Sequence, residues 1–212
     1  MSSRRLGAVS LVVAIATWGG LVPSATTLTA TAPQADVRAS KRDAELMKQK
    51  VAAITAQGDV PSQRTRRTAV TENEVNAYLT YEAQEQLPPG VVEPSVAILG
   101  TGRVSGRAVV DLDAVRKARP STSLLDPRSY LFGHVPVTAI GVLRTSNGVG
   151  QFEMESASVG GVPIPKRLLQ EIVGYYSRSS DKPDGISLDD PFALPARIRE
   201  IQVGRGQAVI VQ

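Results

Sequence analysis

The sequence contains no cysteine among its 212 residues, and this absence excludes several classes of protein. A disulfide-stapled fold, a cysteine-linked lipoprotein anchor, a thiol nucleophile and a cysteine-based zinc site all need the missing side chain. Aromatic residues make up only 4% of the chain, too few for stacking platforms that hold bases or sugars. A phosphate-binding loop is also missing, because Gly100-Thr101-Gly102 lacks the further Gly, Lys and Ser/Thr of that motif.

The chain has a single histidine, His134, which limits catalytic and metal chemistry. Without cysteine, a zinc site built on this histidine needs three Asp or Glu partners, an unusual ligand set. No serine lies in the G-x-S-x-G motif that positions the nucleophile of many hydrolases. We therefore predict a structural or surface role for His134, no catalytic residues, no metal site and no cofactor, and we interpret the protein as a non-enzyme.

Two carboxylate pairs at i,i+2 spacing are the remaining candidates for chemistry: Asp111 with Asp113, and Glu153 with Glu155. This spacing places each pair on one face of a strand. If the two strands were adjacent, four carboxylates would meet and form a Ca²⁺ site or supply an acid and a base. The favoured interpretation is the solvated face of a sheet, on which Arg107 and Arg144 pair with the carboxylates.

The N-terminus has the order of features found in a secretory signal peptide. Arg4 and Arg5 precede an uncharged, mostly apolar run over residues 6–22, and small residues follow around Ser24 and Ala25. We therefore predict a signal peptide over residues 1–25 and export to the periplasm or cell envelope. The apolar run also reaches the lower length limit of a bilayer-spanning helix, so an inner-membrane anchor formed by residues 6–22 is the alternative.

Basic residues are concentrated close to this apolar run. Between Asp36 and Val70 there are eight Lys/Arg and four Asp/Glu, whereas between Thr71 and Gln212 there are fourteen and sixteen. Nucleic-acid-binding domains usually carry a basic patch on the folded body, so this distribution argues against a nucleic-acid partner. The basic segment is interpreted as a solvated helix face or, as the alternative, as a contact to anionic lipid head groups at the membrane surface.

Composition and periodicity divide the rest of the chain into a leader and one domain. Residues 26–66 comprise an Ala/Thr/Pro-rich spacer and a basic amphipathic helix over 38–57. Residues 67–212 are predicted to form a single α+β domain. Its expected architecture is a curved antiparallel sheet of long strands wrapped against two or three helices.

Local signals position the helices and one hairpin of this domain. Thr71 and Glu74 have the spacing of a capping box, which predicts a helix that begins there and runs to about Gln86. Asn147-Gly148 predicts a type I′ hairpin turn, because both central residues of that turn need positive φ. Pro165 is typical of the first turn of a helix and opens a broad apolar stripe.

Alternating hydrophobicity locates the strands. The run from Val104 to Leu112 predicts a half-buried strand that pairs with residues 91–99. Asp113 is a candidate cap for a short helix directly after it. Two closing strands are expected at about 197–203 and 207–211.

The segment that contains the capping box resembles a known motif. Residues 70–84 (VTENEVNAYLTYEAQ) are similar to a segment near the start of small bacterial envelope proteins with a tubular lipid-binding (TULIP-like) fold, which include mycobacterial mannan-chain elongation factor-like proteins. The matching residues are Thr71, Glu74, Asn76, Tyr78 and Leu79. The step GVPIP at 161–165 into an apolar helix and the step LPARI at 194–198 into a closing hairpin fit the same type.

This resemblance implies a long curved sheet that wraps a helix, an apolar space between them that holds an acyl chain, and no catalytic residues. The resulting hypothesis is an exported, non-catalytic envelope protein that binds a lipid or another hydrophobic small molecule between the sheet and the helix at 165–176. The candidate lining residues, which are also candidates for ordinary core, are Val110, Leu112, Val137, Leu143, Phe152, Met154, Leu169, Ile172 and Val173.

Small residues are expected to leave room under that helix, and they are Gly106, Ala108, Ala139, Gly141, Ser156 and Ser158.

Two other hypotheses remain open. One is a structural or interaction module of the envelope, tethered by residues 6–22 and partnered through the basic helix. The other is a hydrolase built on the paired carboxylates, which requires a raised pKa at Asp111 or Glu153.

Overall fold

A computed structural model describes residues 40–60, 64–118, 132–176, 184–185 and 187–212. The signal peptide or anchor predicted at the N-terminus, and the spacer after it, lie outside these ranges. Within them, no helix is long and apolar enough to cross a membrane.

The described ranges contain four helices and nine strands, together with a 3₁₀ turn at Gln84–Gln86. In chain order these elements are α1 (Lys41–Asp59), β1 (Arg67–Thr71), α2 (Glu72–Tyr81), β2 (Val91–Gly100), β3 (Arg103–Asp111), α3 (Leu112–Ala118), β4 (His134–Ser146), β5 (Val149–Val159), β6 (Val162–Ile164), α4 (Lys166–Tyr176), β7 (Phe192–Ala193), β8 (Glu200–Val203) and β9 (Gln207–Val211).

The strands form two antiparallel sheets. The large sheet has the order β2-β3-β4-β5-β6, with β7 paired to the start of β5, and the small sheet has the order β1-β9-β8. The loop between β8 and β9 joins them, because Gly206 N donates to Ile98 O of β2 at 2.8 Å. The predicted α+β architecture, a large antiparallel sheet packed against helices, is confirmed. The described part of residues 67–212 contains three helices, and α1 precedes them.

Both of the strongest local signals are confirmed. Thr71 Oγ1 accepts a hydrogen bond from Glu74 N at 3.3 Å, and the Glu74 carboxylate accepts one from Thr71 N at 2.8 Å, so the capping box forms at the start of α2. Asn147 and Gly148 have φ of 51° and 81° between β4 and β5. Positive φ at both positions is the type I′ geometry that the Asn-Gly pair predicts.

The predicted cap of the short helix is wrong by two residues. Asp111, not Asp113, accepts hydrogen bonds from the amides of Asp113 at 2.9 Å and Ala114 at 3.0 Å. Because Asp111 ends β3 and caps α3, Leu112 is the first residue of the helix rather than an inward-facing strand residue.

Three predicted boundaries also shift. Helix α1 begins at Lys41 rather than at residue 38, because Ser40 Oγ accepts from Asp43 N and caps it. Helix α2 ends at Tyr81, and the 3₁₀ turn occupies the stretch up to Gln86.

Strand β8 begins at Glu200 rather than at residue 197. Ile198 N donates to Pro195 O at 3.0 Å, which closes a turn before the strand can start.

Two apolar clusters hold the elements together. The first lies between α4 and the sheet strands β4 and β5, and its buried members are Ala139, Met154, Ala157, Leu169 and Val173. The second lies between the small sheet, β2 and the helices α1 and α2, and its buried members are Val70, Ile98 and Ala208. Helix α1 contacts α2 and contributes Met47 to the second cluster, so it packs as part of the fold.

Candidate ligand-binding face

Apolar or small residues occupy every second position of strands β3 and β4, and they lie on one shared face of the sheet. In an antiparallel pair, directly opposite residues lie on the same face. The opposite pairs on this face are Val104–Gly141, Gly106–Ala139 and Ala108–Val137. Since Ala139 belongs to the cluster beneath α4, we call this side of the large sheet the inner face.

A β-bulge changes which residues of β5 lie on the inner face. Ile140 is opposite Ser156, whereas the next residue, Gly141, is opposite Met154, so Glu155 is an extra residue on β5. One extra residue inverts the alternation beyond it. Ala157 therefore lies with Met154 on the inner face and is 7% exposed.

The inward positions predicted for Ser156 and Ser158 are consequently wrong. Ser156 is exposed, and Ser158 is opposite Thr138, which lies on the outer face of β4. Strict alternation counted from Met154 placed both serines inside, and the bulge at Glu155 is the physical reason for the difference.

Four of the nine predicted lining residues meet in the cluster beneath α4: Phe152, Met154, Leu169 and Val173. Leu169 is only 1% exposed, and Val173 is 4% exposed. The cluster also contains Leu188, which comes from a polar loop with no periodicity that would have identified it. Gln170 Oε1 accepts from Leu188 N at 2.6 Å and holds that loop against α4.

The other predicted lining residues lie beside this cluster or apart from it. Val110 and Val137 are buried further along β3 and β4, and Leu143 is directly opposite Phe152. Leu112 is half-buried at the start of α3. Ile172 belongs to α4, but its side chain lies outside the described part of the structure.

Two glycines of the inner face have opposite surroundings. A Cβ on Gly141 would stand 2.5 Å from the Phe152 ring and from Glu153 O, so the aromatic ring lies directly on the bare backbone. A Cβ on Gly106 would have no atom of the described residues within 4 Å. Gly106 and its neighbours Val104 and Ala108 are half-buried, so among the described residues the middle of the inner face on β3 is open and is bordered by apolar side chains.

The paired carboxylates do not come together, since β4 separates β3 from β5. Glu153 pairs with Arg144 at 3.2 Å, as predicted, whereas the partner of Glu155 is Arg103 at 2.7 Å rather than Arg107. Among the described residues, no group of three or more His, Asp or Glu side chains is placed to hold a metal ion.

Asp111 and His134 are opposite each other at the end of β3 and β4. His134 Nε2 lies 3.9 Å from Asp111 Oδ2, and the histidine side chain is 63% exposed. The hydrogen bond from the Ala114 amide lowers the pKa of Asp111, and His134 lowers it further. The hydrolase hypothesis required a raised pKa at Asp111 or Glu153, and the shift at Asp111 has the opposite sign.

The motif that carries the family resemblance closes the free edge of the large sheet. β2 is the last strand on this side, and its outward backbone groups are met by side chains of α2. Asn76 Oδ1 accepts from Val96 N at 2.7 Å, and Asn76 Nδ2 donates to Val96 O at 2.8 Å. Glu72 Oε2 accepts from Ile98 N at 2.6 Å. An unpaired sheet edge invites aggregation, and α2 thereby covers it.

Glu74 of the same motif fixes α1 to this edge. Lys50 Nζ donates to both oxygens of the Glu74 carboxylate at 2.7 and 2.8 Å, and to Ala69 O at 2.7 Å. Burial raises the pKa of Glu74, whereas the hydrogen bonds from Lys50 and from the Thr71 amide lower it, and the net pKa lies below its usual value. The motif therefore makes three structural contacts: the cap at the start of α2, the hydrogen bonds to the edge of β2 and the ion pair with α1.

No family model, curated protein or solved structure matches this chain. The resemblance to TULIP-like envelope proteins therefore stays a prediction.

Proposed function

We propose that the protein is an exported, non-catalytic component of the cell envelope that binds a lipid or another hydrophobic molecule on the inner face of its large sheet. The observation that carries this proposal is the open, apolar middle of that face over Gly106, beside the cluster packed under α4. Covering this half-exposed apolar surface with an acyl chain is favourable, by about 0.8 kcal/mol for each buried methylene.

The proposed ligand lies beside the packed cluster rather than within it. Leu169, Met154 and Val173 are all at least nine-tenths buried by protein atoms, so they form the wall against which a chain would lie. Val104, Gly106 and Ala108 form the floor, because they are half-buried on the same face.

The proposal assigns no reaction to the protein. The carboxylates that the sequence singles out are distributed over β3, α3 and β5, and Glu153 and Glu155 are each paired with an arginine. Ion pairing of this kind is typical of the solvated face of a sheet.

Native mass spectrometry of the full chain purified from a bacterial envelope, followed by organic extraction and lipid analysis, tests the proposal. Gly106→Val fills the open space, and its φ is ordinary for a strand, so valine raises the strand propensity. Displacing two or three methylenes of the ligand lowers its affinity by roughly 2 kcal/mol, which is about 30-fold.

The matched control is Ser105→Val, which introduces the same side chain one residue earlier and on the opposite face of β3. A stoichiometric lipid that Gly106→Val loses and Ser105→Val retains supports the proposal. A clean apo mass with no uptake of added lipid, or equal loss in both variants, refutes it.

A specific observation favours a second candidate, a structural module tethered to the membrane. The basic helix α1 is fixed to the domain at two points one turn apart, by Lys50 on Glu74 and by Gln212 Nε2, which donates to Ile54 O at 2.9 Å. An anchor at residues 6–22 would therefore hold the whole domain close to the bilayer. An intact N-terminus in the purified protein, together with the absence of any bound lipid, would favour this candidate.

A further inference from the structure

Five arginines from two distant segments of the sequence converge at one end of the small sheet. They lie at or just before the starts of β1 and β8, on either side of the end of β9. Arg66 N donates to Gln212 O, and Arg199 N donates to Val211 O, so the two starts lie at the same end of the sheet. We call this surface the arginine end, and its members are Arg64, Arg66, Arg67, Arg197 and Arg199. All five side chains are exposed.

Two of these arginines are held in place by hydrogen bonds to oxygen atoms. Arg67 Nη2 donates to Gln202 Oε1, and Arg199 Nη2 donates to Gln212 O and, at 3.0 Å, to Thr65 Oγ1. Neutral acceptors orient a guanidinium group without cancelling its charge. Arg67, whose acceptor is the neutral side-chain amide of Gln202, therefore keeps its positive charge in a fixed position.

Arg66, which directly precedes β1, and Arg197, which lies in the turn before β8, are exposed at the same end of the small sheet. Within the described ranges, neither side chain makes a hydrogen bond or an ion pair. Their guanidinium groups are consequently available to an external anion.

The turn that carries Arg197 is strained. Ala196 and Arg197 have φ of 51° and 53°, and Ile198 N closes the turn on Pro195 O, so this is a type I′ turn without glycine or asparagine at its centre. Non-glycine residues in this region are retained where the surroundings demand them, and such positions cluster at functional sites. Here the strain places Arg197 at the tip of the turn.

Lysines of α1, which the sequence suggested as the basic surface, are occupied elsewhere. Lys48 is paired with Glu82 and Lys50 with Glu74, each at 2.7 Å. The lysines in the middle of α1 are therefore neutralised, whereas Arg66 and Arg197 at the arginine end make no ion pair within the described ranges.

We propose that the arginine end docks the protein onto an anionic phospholipid surface. A guanidinium group matches phosphate oxygens through two parallel hydrogen bonds, and clusters of four to eight basic residues are typical of anionic lipid contacts. The charge complementarity selects this occupant, and an anchor formed by residues 6–22, where it is retained, would bring the same chain to a membrane. The surface is separate from the inner face, so either proposal can fail while the other holds.

Flotation of the full chain with two kinds of vesicle tests this inference. One vesicle contains phosphatidylcholine alone, and the other contains equal parts of phosphatidylcholine and phosphatidylglycerol. The apolar N-terminal run contributes to both, so the ratio of the two partition coefficients isolates the charge contribution. The test variant is Arg66→Gln with Arg197→Gln, and far-UV circular dichroism checks that it folds.

The charge-matched control is Lys41→Gln with Arg42→Gln at the other end of α1. A helix of 19 residues separates the two sites by roughly 28 Å, which exceeds the screening length of about 8 Å at physiological salt.

We expect the wild type to prefer the anionic vesicle at low salt, and the Arg66/Arg197 variant to lower that preference by about fivefold for each arginine, roughly 30-fold in all. The control should lower it by less than about twofold. No anionic preference in the wild type, or an equal loss in both double variants, would overturn the proposal.

Discussion

Replacing Asn76 by alanine tests whether the motif of α2 holds the edge of the large sheet. Asn76 is 7% exposed, and both polar atoms of its side chain bond to Val96, at 2.7 and 2.8 Å. Asn76→Ala leaves one N–H and one C=O of β2 without these partners. Each unsatisfied buried group costs about 1–3 kcal/mol, and since Val96 is half-buried and water can reach it, we expect a total loss of about 2–4 kcal/mol.

For a domain of this size, that loss lowers the melting temperature by roughly 5–15 °C. Urea unfolding followed by far-UV circular dichroism measures the free energy directly. The matched control is Asn73→Ala, which removes an exposed asparagine from the same helix and should change stability by less than about 0.5 kcal/mol.

Asn76→Asp gives a pH-dependent version of the test. The introduced carboxylate can accept from Val96 N but faces the carbonyl oxygen of Val96, so burial and repulsion raise its folded pKa above the unfolded value of about 3.9. Stability from a group with a raised folded pKa is present at low pH and is lost as the pH rises through that pKa. The deficit of Asn76→Asp relative to wild type should therefore shrink on acidification. A deficit that grows on acidification, or an Asn76→Ala variant as stable as the control, would refute the edge-cap reasoning.

Three further substitutions test the packing and the charge pair. The pKa of Glu74 is lower in the folded than in the unfolded state, where it is about 4.3, so this carboxylate stabilises the fold above that pH, and the contribution is lost as the pH falls through the folded pKa. Glu74→Gln should therefore lower the free energy of unfolding by about 2 kcal/mol near pH 7. It should also flatten the acid side of a plot of urea midpoint against pH. Gly141→Ala should lose about 1–3 kcal/mol in urea unfolding because its Cβ meets the Phe152 ring, whereas Gly106→Ala on the same face should lose nothing; equal effects would contradict the contrast between the two sites. Leu169→Ala should lower the free energy of unfolding by about 2–5 kcal/mol. The adjacent Leu168→Ala, at a side chain that is 47% exposed, should lower it far less. Calorimetry compares the two variants, and similar melting temperatures would show that α4 does not pack as described.

The sequence predicted those elements whose signal is contained in a few adjacent residues. The capping box needs only Thr71 and Glu74, and the hairpin turn needs only Asn147 and Gly148, so neighbouring chemistry determines both. Strand pairing across Gly100-Thr101-Gly102 followed equally from alternation and a short glycine-rich connection.

Features that depend on distant parts of the chain were not predictable in this way. The bulge at Glu155 changes the inward set of β5, and nothing in the local alternation marks it. Likewise, Lys50 and Glu74 are 24 residues apart, so their ion pair could not be inferred from the basic composition of α1. The arginine end could not be predicted either, because its residues come from segments next to β1 and β8, which are far apart in sequence. These two strands are joined only through β9, which lies between them in the small sheet.

These contacts bear on what the motif in α2 implies. Thr71 and Glu74 cap the helix, Glu74 also holds α1, and Asn76 covers the edge of β2, so each of these three residues has a structural reason to be present. A protein that needs a helix to close a sheet edge would select the same residues whether or not it binds a lipid. The case for a hydrophobic ligand therefore depends on the inner face, where the space over Gly106 has no comparable structural explanation among the described residues. For that reason Gly106→Val discriminates between the two functions, whereas substitutions in the motif report only on the fold.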